Sequence, residues 1–121
     1  MNMELHEELS AKLLSFSGSP QRWNDQTPFG EIVLSEGCKF LREREEFKWL
    51  FDLIQSHQSR LKNEEFQEWI ATRVSDNEFL VTCTDGDDET FATQKIQYSA
   101  FPLDVLKIWL VEGVYLLPSE Y

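Results

Sequence analysis

A chain of 121 residues, 41% hydrophobic and 13% aromatic, is long enough to bury one core and too rich in large rings to remain disordered. Its net charge of −11, from 22 acidic and 11 basic residues, opposes phosphate neutralisation, so direct nucleic-acid binding and docking on anionic membranes are not expected. A basic protein partner suits that charge better.

In chain order, Met3 to Ser15 reads as a helix, with Leu5, Leu9, Leu13 and Phe16 at helical spacing and acids in its first turns. Residues 21–31 form a loop broken by Pro28 and Gly30, with Trp23 and Phe29 as its aromatic anchors. Ile32 to Leu34 is a short strand. Ser35-Glu36-Gly37 is then a hairpin turn, and Cys38 to Leu41 returns as a strand or opens the next helix, the strand being the expectation.

A central helix over 42–57 places Phe47, Leu50, Phe51 and Ile54 on one stripe, while Trp49 and Leu53 widen it. A helix apolar over so much of its circumference is either deeply sandwiched or lies at a subunit interface. Its start, Arg42 to Glu46, has the mixed charge of a solvated surface.

A three-strand meander follows over 66–74, 79–83 and 90–98, with turns at Ser75-Asp76-Asn77 and around Asp85-Gly86. Phe101-Pro102 opens a second helix over 103–112, closed by Gly113, with Leu103, Leu106 and Leu110 on one face and Trp109 on another. Val114 to Pro118 is a terminal apolar strand. The elements together predict an α+β fold, with an antiparallel sheet of three to five strands packed with two or three helices. One domain covers 1–121, its N-terminal helix within 1–17 and a compact core within 30–121.

No motif for chemistry completes itself. Counted from Asp85, a calcium loop needs glycine at its sixth place and a carboxylate at its twelfth, where Thr90 and Ile96 stand. His6-Glu7 begins like a zinc-protease helix, but Ser10 occupies the place of the second histidine. There is no nucleophile elbow and no phosphate-cradling glycine loop. Cys38, beside a turn glycine, and His57, at a helix end, are the weak reactive candidates, while Cys83 reads as a small core residue.

No catalytic residue, metal ligand or cofactor is therefore assigned. Two cysteines, an acidic start without an apolar leader and no stretch of ~20 apolar residues lead us to expect a cytoplasmic chain.

The segments Glu36-Gly37-Cys38-Lys39-Phe40-Leu41, Trp49-Leu50-Phe51-Asp52 and Ser56-His57-Gln58 resemble a family of small uncharacterised bacterial proteins found also on plasmids, phages and other mobile elements. Phe101-Pro102-Leu103, Ile108-Trp109-Leu110 and the closing Leu116-Leu117-Pro118-Ser119-Glu120-Tyr121 are similar to its C-terminal signature. The likeness spans residues 30–121. Ser35-Glu36-Gly37 stands where relatives carry Thr-Asp-Gly, and Glu45-Glu46-Phe47 where they carry small residues. The resemblance implies a bacterial or mobile-element accessory protein and brings no functional residue.

The expected function is a non-enzymatic protein-binding or accessory module that works as a homodimer, with Trp49, Leu53, Trp109, Trp23 and Phe29 as its interaction surface. The alternatives are an acidic mimic of nucleic acid acting on a DNA-handling protein, and a small enzyme using Cys38, His57 or a carboxylate pair.

Overall fold

The computed structural model describes residues 3–61, 63–87, 89–97 and 101–121, with 3–6 described by backbone alone. The His6 side chain, Asp88 and Tyr98, which belong to the zinc-like pair, the acidic turn and the third meander strand, lie outside the described residues.

Seven strands among the described residues make one sheet. They are β1 (Trp23–Thr27), β2 (Gly30–Leu34), β3 (Phe66–Ser75), β4 (Glu78–Thr84), β5 (Thr90–Gln97), β6 (Val105–Val111) and β7 (Val114–Leu116), ordered β1-β2-β7-β6-β3-β4-β5. All neighbours pair antiparallel except β2 and β7, which run parallel. Four α-helices accompany them: α1 (Met3–Leu14), α2 (Glu36–Arg42), α3 (Glu45–Ser56) and α4 (Gln58–Leu61). The α+β class stands, but the expected antiparallel sheet of three to five strands with two or three helices is corrected to a mixed sheet of seven with four.

Three local readings account for the difference. β1 has the sequence Trp-Asn-Asp-Gln-Thr and buries only Thr27, so an edge strand without alternating apolar residues reads as loop. Cys38 to Leu41 is helical, because Ser35 Oγ accepts the Cys38 N–H at 3.2 Å and caps α2. The supposed helix over 103–112 is β6. Its Leu106, Ile108 and Leu110 are buried in strict alternation with Val105, Lys107 and Trp109. Glu112 and Gly113, at φ 49° and 85°, turn β6 into β7 as a two-residue hairpin, a connection that positive φ at both central residues permits.

Gly37 is needed for proximity rather than for a turn. A Cβ there would lie 2.5 Å from Leu117 Cδ1 and 2.8 Å from Glu120 Oε1. Glu120 stitches the C-terminus to α2, accepting from Ser35 Oγ at 2.6 Å, Gly37 N at 2.9 Å and Leu117 N at 2.9 Å.

One sheet face carries Ile32, Leu34, Ile108, Trp69, Phe79 and Val81, all essentially inaccessible. Against it α3 buries Phe47, Leu50, Phe51 and Ile54, a helical stripe matched to the period-two stripe of the strands. Ring contacts mark the seam: Phe51 to Tyr115 at 5.6 Å, and Phe47 and Phe79 to Phe101 at 5.0 and 4.8 Å. The other face presents Ile70, Leu80, Lys107 and Trp109, none of them fully buried.

Candidate functional site

A groove of about 370 Å³ runs along the outer side of α3, lined by Phe29, Trp49, Asp52, Leu53, Ser56, Gln94 and Ile96. Phe29 comes from the β1–β2 turn, while Gln94 and Ile96 come from β5, at the far end of the strand order. The sheet therefore curls around α3 until both of its ends border one strip of that helix.

Each wall is held by identifiable contacts. Thr27 Oγ1 accepts the Phe29 N–H at 3.0 Å and donates to Gly30 O at 2.8 Å, fixing the turn that leaves the Phe29 ring 57% exposed. Trp49 Nε1 donates to Glu46 O at 2.9 Å, and its ring packs edge-on against Phe101 at 5.5 Å. Such a ring offers apolar area from a fixed position. Ser56 Oγ donates to Leu53 O at 2.6 Å.

The acid in the lining, Asp52, is paired with a buried arginine. Arg42, only 7% exposed, donates from Nε to Asp25 Oδ2 at 2.8 Å, from Nη1 to Asp52 Oδ1 at 2.9 Å and Lys48 O at 3.1 Å, and from Nη2 to Gln26 O at 3.2 Å. The hydrogen bond from Arg42 holds the Asp25 carboxyl below the usual carboxylate range, aided by the Gln26 N–H. At the groove end, His57 Nδ1 meets Arg60 Nη2 at 2.6 Å and Nε2 meets Gln94 Oε1 at 3.0 Å. A guanidinium can only donate, so Nδ1 accepts and Nε2 carries the hydrogen given to Gln94.

Of the five surface residues singled out in the sequence, the groove gathers Phe29, Trp49 and Leu53. Trp23 lies elsewhere, with Lys39 Nζ 5.4 Å above its ring. Trp109 is on a strand, not on a helix. It faces away from α3, donates Nε1 to Glu68 Oε2 at 2.9 Å and packs edge-on with Phe66 and Tyr121 at 5.1 and 5.3 Å. Gln94 and Ile96 line the site, and Arg42 pairs with its Asp52, without a sequence signal that marks them; Arg42 reads there as part of a solvated charge run.

The reactive candidates are not brought together. Cys38, expected to be the more exposed thiol, is buried completely in α2, and so is Cys83 in β4. Burial pushes the Cys38 thiol far up and the Cys83 thiol up to about 12, so neither supplies a thiolate near neutrality. His57 contacts Gln94, Arg60 and the Trp69 ring, and no cysteine is among these partners. Both thiols are expected to resist a thiol reagent at pH 8 in the folded chain and to titrate fully in denaturant. Rapid native labelling of either would contradict the burial. Among the described residues no three His, Cys, Asp or Glu side chains gather as metal ligands would, and no helix is long and apolar enough to cross a membrane.

Residues 7–121 match the family model described as "Family of unknown function (DUF6876)", and the chain belongs to that family. No curated protein and no solved structure matches the chain.

Proposed function

We propose that this member of the family is a protein-binding module, and that the groove along α3 is its contact surface. One observation carries the reading: Phe29, Trp49 and Ile96 converge from three separate elements on a single open groove. Fixed aromatic rings around a depression are what an apolar anchor from a partner fills. The reading places the module in a reducing cytoplasm, which its two unpaired thiols suit, and in a bacterial or mobile-element setting.

A second reading, an acidic modulator of a DNA-handling protein, is favoured by the distribution of carboxylates. Glu65 O accepts from Glu112 N at 2.7 Å, and Gly86 abuts the Phe66 ring. These contacts draw Glu64, Glu65, Asp85, Asp87 and Glu112 to one end of the sheet, and none of them lines the groove.

Phe29→Ser separates the two. The side chain is mostly in water, so the unfolding temperature should change little. Affinity capture from the source organism, quantified by mass spectrometry, should retain a partner on the native chain and lose it on Phe29→Ser. Equal capture by both would remove the groove as the contact surface. Capture that is indifferent to Phe29 but fades steeply with salt would favour the acidic reading.

A further inference from the structure

We infer that the groove's partner is a second copy of this chain, joined by antiparallel pairing of the two β5 strands about a two-fold axis. The inference rests on the groove being a protein-binding surface, and it names what meets its β5 wall.

The two edges of the sheet are treated differently. At the β1 edge, Ser35 N donates to Tyr115 O. Alternation from there through the β1–β2 register turns Asn24 and Gln26 outward. The Gln26 N–H is taken by Asp25 Oδ1 at 2.8 Å and its carbonyl by Arg42 Nη2 at 3.2 Å. At Gln26 that edge is closed by the chain's own side chains.

At the other edge, Arg73 N donates to Asp104 O, on the β6 side of β3. Carried through the β3–β4 and β4–β5 registers, the same alternation turns the amides and carbonyls of Thr93, Lys95 and Gln97 outward. Arg60 Nη1 reaches this edge only at its start, meeting Phe91 O at 3.4 Å. An eight-residue edge left open in this way is a template for another strand.

Charge allows a second copy to be the occupant. Two molecules of net charge −11 repel except where their contact lacks acids. β5, Thr-Phe-Ala-Thr-Gln-Lys-Ile-Gln, has one charge, Lys95, and none of its residues is acidic. The groove beside it has one acid, Asp52, which is paired with Arg42 at 2.9 Å. Lys95 does not guard the groove side of the edge: it pairs with Leu80 on the face away from α3, whereas Gln94 and Ile96, on the α3 side, are uncharged. Pairing of β5 with its symmetry mate joins both sheets into one and brings each Gln94 and Ile96 alongside the other copy's groove. An isologous contact of this kind closes after two copies.

Sedimentation equilibrium over a micromolar concentration series tests it. The native chain should approach twice its mass of 14.3 kDa, and the amides of Thr93, Lys95 and Gln97 should exchange more slowly as concentration rises. Thr93→Pro deletes an outward N–H without touching the β4 ladder. Gln94→Glu adds facing like charges yet keeps an acceptor for His57. Each should weaken dimerisation by roughly tenfold or more, while Lys107→Glu, on the face away from α3, should leave it intact.

A dimer that either β5 variant leaves at native strength, or that Lys107→Glu dissolves, would overturn the β5 contact and leave the groove reading standing. A native chain that stays monomeric would overturn self-pairing altogether. Phe29→Ser capture would then decide separately whether the groove binds another protein.

Discussion

Replacing Phe101 by alanine is expected to cost about 4 kcal/mol. The ring is 1% exposed and contacts Phe47 at 5.0 Å, Trp49 at 5.5 Å and Phe79 at 4.8 Å, each edge-on or nearly so. Its removal opens a void between a helix and a strand that are both fixed elsewhere, so little of the space can close. Arg73 holds the same segment from outside, donating Nη2 to Phe101 O at 2.7 Å and stacking on Phe79 at 4.7 Å. The backbone therefore stays in place when the ring is lost. Urea denaturation should show a lower midpoint with unchanged slope, and the melting temperature should fall on the order of 15 °C. Phe101→Leu should lose less than half as much. Because Trp49 rests on Phe101, the alanine variant should also loosen the groove wall, which tryptophan fluorescence would register as a red shift. Near-native stability in Phe101→Ala would contradict the packing described.

What the sequence discloses and what it hides follow from the range of the forces involved. α1, the stripe of α3 and the meander β3–β4–β5 are legible, because their apolar spacing is written within roughly ten or fifteen residues. β6 reads as a helix because both of its faces are apolar: Val105 and Trp109 on the outer face fill the gaps between Leu106, Ile108 and Leu110. A strand apolar on both sides loses its period-two signature and resembles a buried helix. β1 is hidden for the opposite reason, having almost no apolar face to read. The parallel β2–β7 pair joins Val33 to Val114, and no local pattern announces a contact between residues so far apart in the chain.

The site is legible to the same degree. Trp49 and Leu53 stand out as surplus apolar residues on a helix whose core stripe is already complete, and they do line the groove. Trp109 stands out by the same logic and lies on the other face, because its supposed helix is a strand. Arg42 gives no such signal. Its carboxylate partners, Asp25 and Asp52, are seventeen positions before it and ten after it, and only the packing of α2 against α3 and β1 brings them together.

That bridge between three elements makes Arg42 the other sensitive position. Arg42→Met should cost about 3 kcal/mol, since it strips the partner from Asp25 and Asp52 and leaves Lys48 O and Gln26 O without their donor. Arg42→Lys keeps the charge but cannot reach four acceptors in a planar fork, so its stability should fall between those of the native chain and Arg42→Met. The pH dependence fixes the mechanism. The folded Asp25 carboxyl is held below its ordinary value of 3.8, first by the Arg42 hydrogen bond. A depressed carboxyl contributes stability that is present above the ordinary carboxylate range and lost as pH falls through the folded value. The difference in melting temperature between the native chain and Arg42→Met should therefore be full at neutral pH and shrink as pH drops below ~4. A gap that holds constant into acid would mean that Arg42 acts through packing of its stem and its bonds to the Lys48 and Gln26 carbonyls, not through Asp25. The substitution also frees the outward carbonyl of Gln26, so the β1 edge loses part of its closure. If copies pair through β5, Arg42→Met should form species larger than the dimer, and Thr93→Pro in the same chain should suppress them.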